Sequence, residues 1–520
     1  MRPVFSVFLI ASLAGGASAP AVANPSPGAA APARLPLTAV YAHDPPFPNP
    51  VSGVPYVEFP HTTGGSWQTL KATPPFGASG AGTAILMTDG TVMVHDNDTS
   101  WWRLTPDKTG SYVTGTWSSG GQLPAGYGPR YFASAVLPDG RLEVNGGEYN
   151  LLSKTEVETN LGAIYNPFTN TWAKVAPPPG WQVIGDAQSV ILANGIFLMG
   201  DCCYDDVAEL NPSTLGFSWH LSNKADPDSE EGFTLLPDGK IFTVDVTDAG
   251  NSEIYNPSTR LWATAGKTPD TLVASQEIGP QILRPDGTIF VVGASGKTAI
   301  YNTHTGAWSV GPTLPTVGGK QLDVADGPAS LLPDGNVLFP ASVGIYKTPS
   351  YWFEFDGTQL TNVAAPPYAP FDSTYYTRTL LLPTGQVLET DSLSPTEVEV
   401  YTPRGTALPG LAPVISSVPT LLAHGQTYRI AGQKFNGYSQ ANAYGDDVQC
   451  ATNFPLVRIT NNATKHVFYA RTYAFSFMGV ASLATVTADF VVPAAIELGP
   501  STLVVVANGV PSAPKNVTVE

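Results

Sequence analysis

Tyrosines, arginines and carboxylates recur at matching points along this sequence, and together they could bind or transform a polar ligand. They flank a repeated phrase in which two apolar runs enclose a turn ending in glycine. Before the first run stand Arg130 and Tyr131, Asp186, Glu230 and Glu231, Glu277, Asp323 with Asp326, and Tyr375 and Tyr376 with Arg378. After the second run stand His95 with Asp96, Asn97 and Asp98, Glu148 with Tyr149, Asp201 with Cys202, Cys203 and Tyr204, then Asp245 and Asp391. Two carboxylates facing one another can act as acid and base on a glycosidic bond. A tyrosine beside an arginine can be acidic enough to exchange protons. His95, Asp96 and Asp98 could ligate a cation, although a local turn closed by aspartate side chains explains the same residues. A hydrated rim of loop ends is the simpler account of most of these acids. Convergence from several repeats is what would make them a pocket.

The elements that must position them follow from the phrase itself. It occurs seven times: MTDG at 87–90, LPDG at 137–140, LANG at 192–195, LPDG at 236–239, RPDG at 284–287, LPDG at 332–335 and LPTG at 382–385. Asp-Gly and Asn-Gly between apolar runs specify β-hairpins, and a period near 50 residues specifies a repeat architecture. A third strand, typically Ile-Tyr-Asn-Pro, and a fourth carrying Trp117, Trp172, Trp219, Trp262 or Trp308 complete each repeat. Seven four-stranded repeats predict an all-β, seven-bladed propeller. The last repeat lacks a fourth strand, and SWQTL at 66–70 is expected to supply it from the N-terminal side. The flanking tyrosines, arginines and carboxylates then fall at one axial mouth, opposite the glycine turns. The expected boundaries are a propeller over 61–408 and a β-sandwich over 412–520.

Residues 1–23 have the charged start, apolar stretch and small-residue end of a secretory signal, and 24–60 read as a leader and linker. No segment offers the ~20 apolar residues of a membrane span. A secreted protein, periplasmic or extracellular and monomeric, is expected. The net charge of −17 excludes nucleic acid as a partner, because phosphates require a basic footprint. Cys202, Cys203 and Cys450 are too few for a disulfide framework, though the adjacent pair could close on itself.

The chain resembles the galactose oxidase and glyoxal oxidase group of kelch-type propellers. RYFASAVLPDGRLEVNGG at 130–147 and STYYTRTLLLPTGQV at 373–387 carry the resemblance. It implies a kelch-type propeller followed by an immunoglobulin-like domain, with Tyr131 at the cross-linked tyrosine and Tyr375 at the axial tyrosine. It also places Tyr149 near a stacking tryptophan. The pattern departs at the copper ligands. Tyr376 stands at one histidine, Ala81 near the cross-linking cysteine, and Tyr473, in an axial loop expected at 470–480, at the second histidine. Copper needs imidazole or thiolate for tight binding, so copper-radical chemistry is not expected, while calcium is compatible with the acids.

Two classes of function remain. As a binding module for a carbohydrate or similar polar ligand, the chain would use Tyr149, Tyr204, Tyr376, Asp186, Asp326, Cys202 and Cys203. As a carbohydrate-active enzyme, a hydrolase, a lyase or a divergent oxidase, it would use Tyr131, Tyr375, Arg130, Arg378, Glu230, Glu231, Glu277 and Asp323.

Overall fold

Seven antiparallel sheets, six of four strands and one of five, follow one another along the chain, each with its first two strands joined through one of the glycine phrases. The computed structural model describes residues 53–57, 64–77, 79–153, 155, 157–202, 204–445 and 450–520. The expected signal at 1–23 and Cys203 lie outside them. Blade 1 runs from Ala84–Leu86 to Thr116–Gln122, and blade 7 begins at Thr377–Leu381. In six of the seven turns the Asp or Asn side chain accepts the N–H two residues on, as Asp139 Oδ1 does from Arg141 at 3.1 Å. The glycine that follows is left-handed, for instance Gly140 at φ 83°, a conformation open to glycine at little cost.

The tyrosine and tryptophan of the outer strands stitch the blades together. Tyr165 pairs across the strands with Trp172, Tyr255 with Trp262 and Tyr301 with Trp308, with ring centroids 5.1–5.2 Å apart. Trp172 Nε1 then donates to Gly120 O of blade 1 at 3.1 Å, and Trp308 Nε1 to Ser252 Oγ of blade 4 at 3.2 Å. An indole N–H shielded from water needs such an acceptor, so Trp172 and Trp308 each tie their blade to the one before.

The ring closes as the sequence implies. Ser66–Thr69 pairs antiparallel with Val398–Thr402 as the outer strand of blade 7. Trp67 packs on Trp352 and Tyr401, and its Nε1 donates to Ala364 O at 2.7 Å.

Nine of the ten strands described after residue 412 form one curled sheet. Ile430, Ile459, Phe490 and Val505 line a core that is continuous with that of blades 1 and 2. This sheet docks on the glycine-turn face. Phe475 N donates to Pro138 O at 3.1 Å, Met478 N to Ala193 O at 3.0 Å, and Arg471 pairs with Asp89 at 2.5 Å.

The axial segment is not the expected one. The stretch 470–480 stays at the turn face, where Val467–Tyr473 is a regular strand and Tyr473 packs on Phe168. Residues 439–445 enter the axis instead, and Asn442–Ala443 adds a fifth strand to blade 6 beside Ala329–Leu331. The reason lies in hydrogen bonding. Innermost strands present unpaired backbone groups to the axis, and these must find partners. Asn442 Oδ1 accepts from Leu381 N and Ser330 Oγ, each at 2.8 Å, and Gln440 Oε1 accepts from Leu235 N at 2.7 Å. The apolar 474–480 segment could not supply those acceptors.

Candidate functional site

At the end of the axis away from the glycine turns, loops from blades 2, 6 and 7 assemble a tyrosine cluster. Tyr131 and Tyr149 come from blade 2, Tyr346 from blade 6, and Tyr375 and Tyr376 from the one-turn helix Thr374–Tyr376 ahead of blade 7. Ring centroids lie 5.4 Å apart for Tyr131 and Tyr375, 6.0 Å for Tyr131 and Tyr149, 5.0 Å for Tyr346 and Tyr375, and 4.6 Å for Tyr375 and Tyr376. These are the tilted and edge-on spacings that aromatic quadrupoles favour.

Two arginines hold the cluster. The Arg130 guanidinium lies 4.4 Å from the Tyr149 ring and donates to Ser153 O at 2.6 Å. Arg378 lies 3.7 Å from the ring of Tyr444, on the axial segment, and 5.5 Å from that of Tyr131. It donates to the carbonyls of Tyr375 and Thr377 at 2.7 and 2.9 Å, and Tyr444 Oη donates to Tyr375 O at 2.6 Å. The arginines therefore act as cation–π and carbonyl partners, which positions the rings rather than leaving two guanidinia as ligand donors.

Beside the rings, Glu230, Glu277 and Asp326 arrive from blades 4, 5 and 6, with one oxygen of each within 4.8 Å of the others. All three are buried. Tyr346 Oη donates to Asp326 Oδ2 at 3.3 Å, so the carboxylates and the aromatic cluster are contiguous. The axial segment passes close by. A Cβ on Gly445 would lie 2.7 Å from Asp326 Oδ1 and 2.9 Å from Ile278 O, so only glycine fits there.

The other expected residues go elsewhere. Glu231 turns into blade 4, where its Oε1 meets the buried Lys224 Nζ at 2.6 Å. Burial alone would neutralise Lys224, but Glu231, Asp228 and Asp226 outweigh it and hold its pKa well above the ordinary value. Asp323 bridges in the backbone to Ser342, and burial pushes its carboxyl up to about 8. Asp186 lies with Glu158 and Cys202. Cys202 is disulfide-bonded, so it offers no thiolate, and Cys450 is buried far from it in sequence. Tyr204 is half-buried, and its carbonyl accepts from Asp228 N at 2.6 Å.

His95 is not at the mouth. It is buried against Trp101 and Phe132, its Nε2 is 2.8 Å from Asp98 O, and burial pulls its pKa down to about 4. Asp96 Oδ1 accepts from Asp98 N and Ser100 N at 3.1 and 3.0 Å, which is the turn geometry weighed against a metal site. The donor set at the axis is therefore phenol and carboxylate, with no imidazole among the described residues. It does not fit copper.

Sequence reasoning missed Tyr346, Tyr444 and Lys224. Tyr346 lies outside the repeat phrase and Tyr444 in an irregular segment. Lys224 carried one legible signal: a lone cation ahead of Asp226, Asp228, Glu230 and Glu231.

No known family model matches the chain. It is 24% identical over 266 residues to the Kelch-like protein terF of Aspergillus terreus, across 44% of this chain and 54% of that protein, and so spans about half the length of the curated relative it matches. Among solved structures, it is similar to a fungal alcohol oxidase of the AA5 family in complex with copper, at 15% identity and a TM-score of 0.39, over 84% of this chain and 85% of that one. It is also similar to a streptogramin B lyase, at 12% identity and a TM-score of 0.46, over 66% and 98%.

Proposed function

We propose that this chain is an exported kelch-type propeller that binds a carbohydrate or similar small polar ligand at its axial mouth. One observation carries the reading: three carboxylates from different blades converge within 4.8 Å beside the ring of Tyr346, which leads to Tyr375 and Tyr131. Carboxylates accept hydroxyl hydrogen bonds, and aromatic faces stack on sugar rings. The signal-like residues 1–23 support export.

The test is calorimetric titration with a panel of neutral oligosaccharides. At least one should bind, and Tyr149→Ala should weaken it about tenfold, or ~1.4 kcal/mol. Failure of the whole panel would remove the carbohydrate reading.

A retaining glycoside hydrolase is the second reading, favoured by the short spacing of the acids. Retaining enzymes hold their carboxyl pair about 5 Å apart, whereas inverting ones need more than ~6.5 Å for the attacking water. Release of reducing ends by the native protein, lost in Glu277→Gln while binding persists, would select this reading over simple binding.

A further inference from the structure

Blade 4 contains a second acidic centre, separate from the mouth. Lys224 Nζ lies 2.7 Å from Asp226 Oδ1, 2.6 Å from Glu231 Oε1, 3.7 Å from Asp228 Oδ1 and 3.8 Å from Glu253 Oε2. Asp245, at the end of strand Ile241–Val244, completes the group. One ammonium thus faces five carboxylates, all of them buried. A buried excess of negative charge must be matched by protons or by a cation.

The hydrogen bonds show where the match is missing. Both oxygens of Glu253 accept from Ala225 N, at 3.3 and 3.1 Å. Asp226 Oδ1 accepts from Lys224, and Oδ2 from Thr247 Oγ1 at 2.8 Å and Asp248 N at 3.3 Å. Asp245 is 0% exposed, and neither of its oxygens accepts a hydrogen bond. Oxygens of Asp245, Asp226 and Glu231 lie within 4.8 Å of one another. Two ligands on opposite sides of one calcium ion, each about 2.4 Å from it, span the same distance.

We propose that Asp245, Glu231 and Asp226 bind a calcium ion inside blade 4, beside Lys224. The donors are all oxygen, which selects a hard cation over copper or zinc. Calcium tolerates irregular, carboxylate-rich shells, whereas magnesium requires a near-octahedral one. Bound there, the ion would join the second strand of blade 4 to the segment 224–231. Glu230, the mouth carboxylate, lies on that segment, so the ion would steady the mouth without touching a ligand. The inference does not depend on what the mouth binds.

Trp262 supplies the test, because its ring lies 5.6 Å from Lys224 Nζ. The full-length protein is stripped with chelator and titrated with terbium under tryptophan-selective excitation. Sensitised emission should appear and be displaced by calcium. Trp262→Phe should lose the emission yet keep a calcium-induced rise in Tm, while Asp245→Asn should lose both. Terbium at the Glu230, Glu277 and Asp326 group would have tyrosine neighbours and would survive Trp262→Phe under tyrosine excitation. The proposal is overturned if the native protein gives neither calcium-displaceable emission nor a calcium-dependent rise in Tm. It is also overturned if Asp245→Asn retains both or if magnesium displaces terbium better than calcium. Should Asp245→Asn fail to fold, the native protein and Trp262→Phe still decide the matter.

Discussion

At the residue scale, the mouth is built from conformations that side chains ordinarily avoid. Tyr131, Glu230, Asp326 and Tyr346 are left-handed, with φ of 53°, 54°, 41° and 55°. Each costs on the order of 1–2 kcal/mol, and such outliers gather where a site is held in place by its surroundings. Crowding three carboxylates within 4.8 Å adds like-charge repulsion. Glu277→Gln keeps the shape and removes one charge, so it should stabilise the fold by ~0.5–2 kcal/mol while weakening ligand binding. A rise in the urea midpoint together with a loss of affinity would show that trade, and a fall in the midpoint would refute it. Lys224→Met should do the reverse. It removes the one ammonium among five buried carboxylates, and leaving such a group uncompensated costs about 3–5 kcal/mol. The same urea titration measures it, and a change under ~1 kcal/mol would mean the carboxylates are already neutral.

At the element scale, local signals were legible and long-range ones were not. Six of the seven blade hairpins could be read because Asp-Gly or Asn-Gly fixes a turn from four adjacent residues, and the seventh, with Thr384-Gly385, from its place in the repeat. Closure by SWQTL could be read because blade 7 was one strand short. The axial segment could not be read, since its role is to cap backbone groups of blades far away in sequence, through Gln440 and Asn442. An apolar stretch at 470–480 looked like the better plug, but a plug in a ring of unpaired backbone groups must be polar. The site shows the same division. Tyr131, Tyr149, Tyr375 and Tyr376 stand at fixed offsets from the glycine phrase and were found; Tyr346 and Tyr444 stand at none. Two variants test these elements. Trp67→Ala should cost about 2–3 kcal/mol, below the 3–5 of a fully buried tryptophan, because the ring is half-exposed. It should also promote oligomers on size exclusion as Val398–Thr402 becomes an open sheet edge. Gly445→Ala should displace the axial segment and abolish ligand binding, with little effect on blade-to-blade packing.

At the scale of the whole molecule, the composition sets how stability depends on pH. A chain of net charge −17 that buries many of its acids holds several carboxyls in protonated form. Burial pushes Glu143 up to about 8 against the pull of its hydrogen bond from Asn145, and Asp323 also to about 8. In blade 7, Glu389 and Glu399 are cross-strand neighbours, both pushed up by burial, with Glu389 raised further by Glu399 and Glu399 by Glu397. Each group binds its proton more tightly folded than unfolded, where carboxyls titrate near 4. The folded state therefore carries more protons between about pH 4 and pH 8, and its stability falls as pH rises through that window. The loss is about 1.4 kcal/mol per pKa unit of difference for a fully buried group such as Glu143. Urea unfolding should thus give its highest midpoint near pH 4–5 and its lowest above pH 8. Glu143→Gln should flatten the curve by removing one titrating group while keeping the partner of Asn145. A midpoint that climbs from pH 5 to pH 8 would mean that these carboxyls are ionised in the fold and that cations, not protons, hold the acids together.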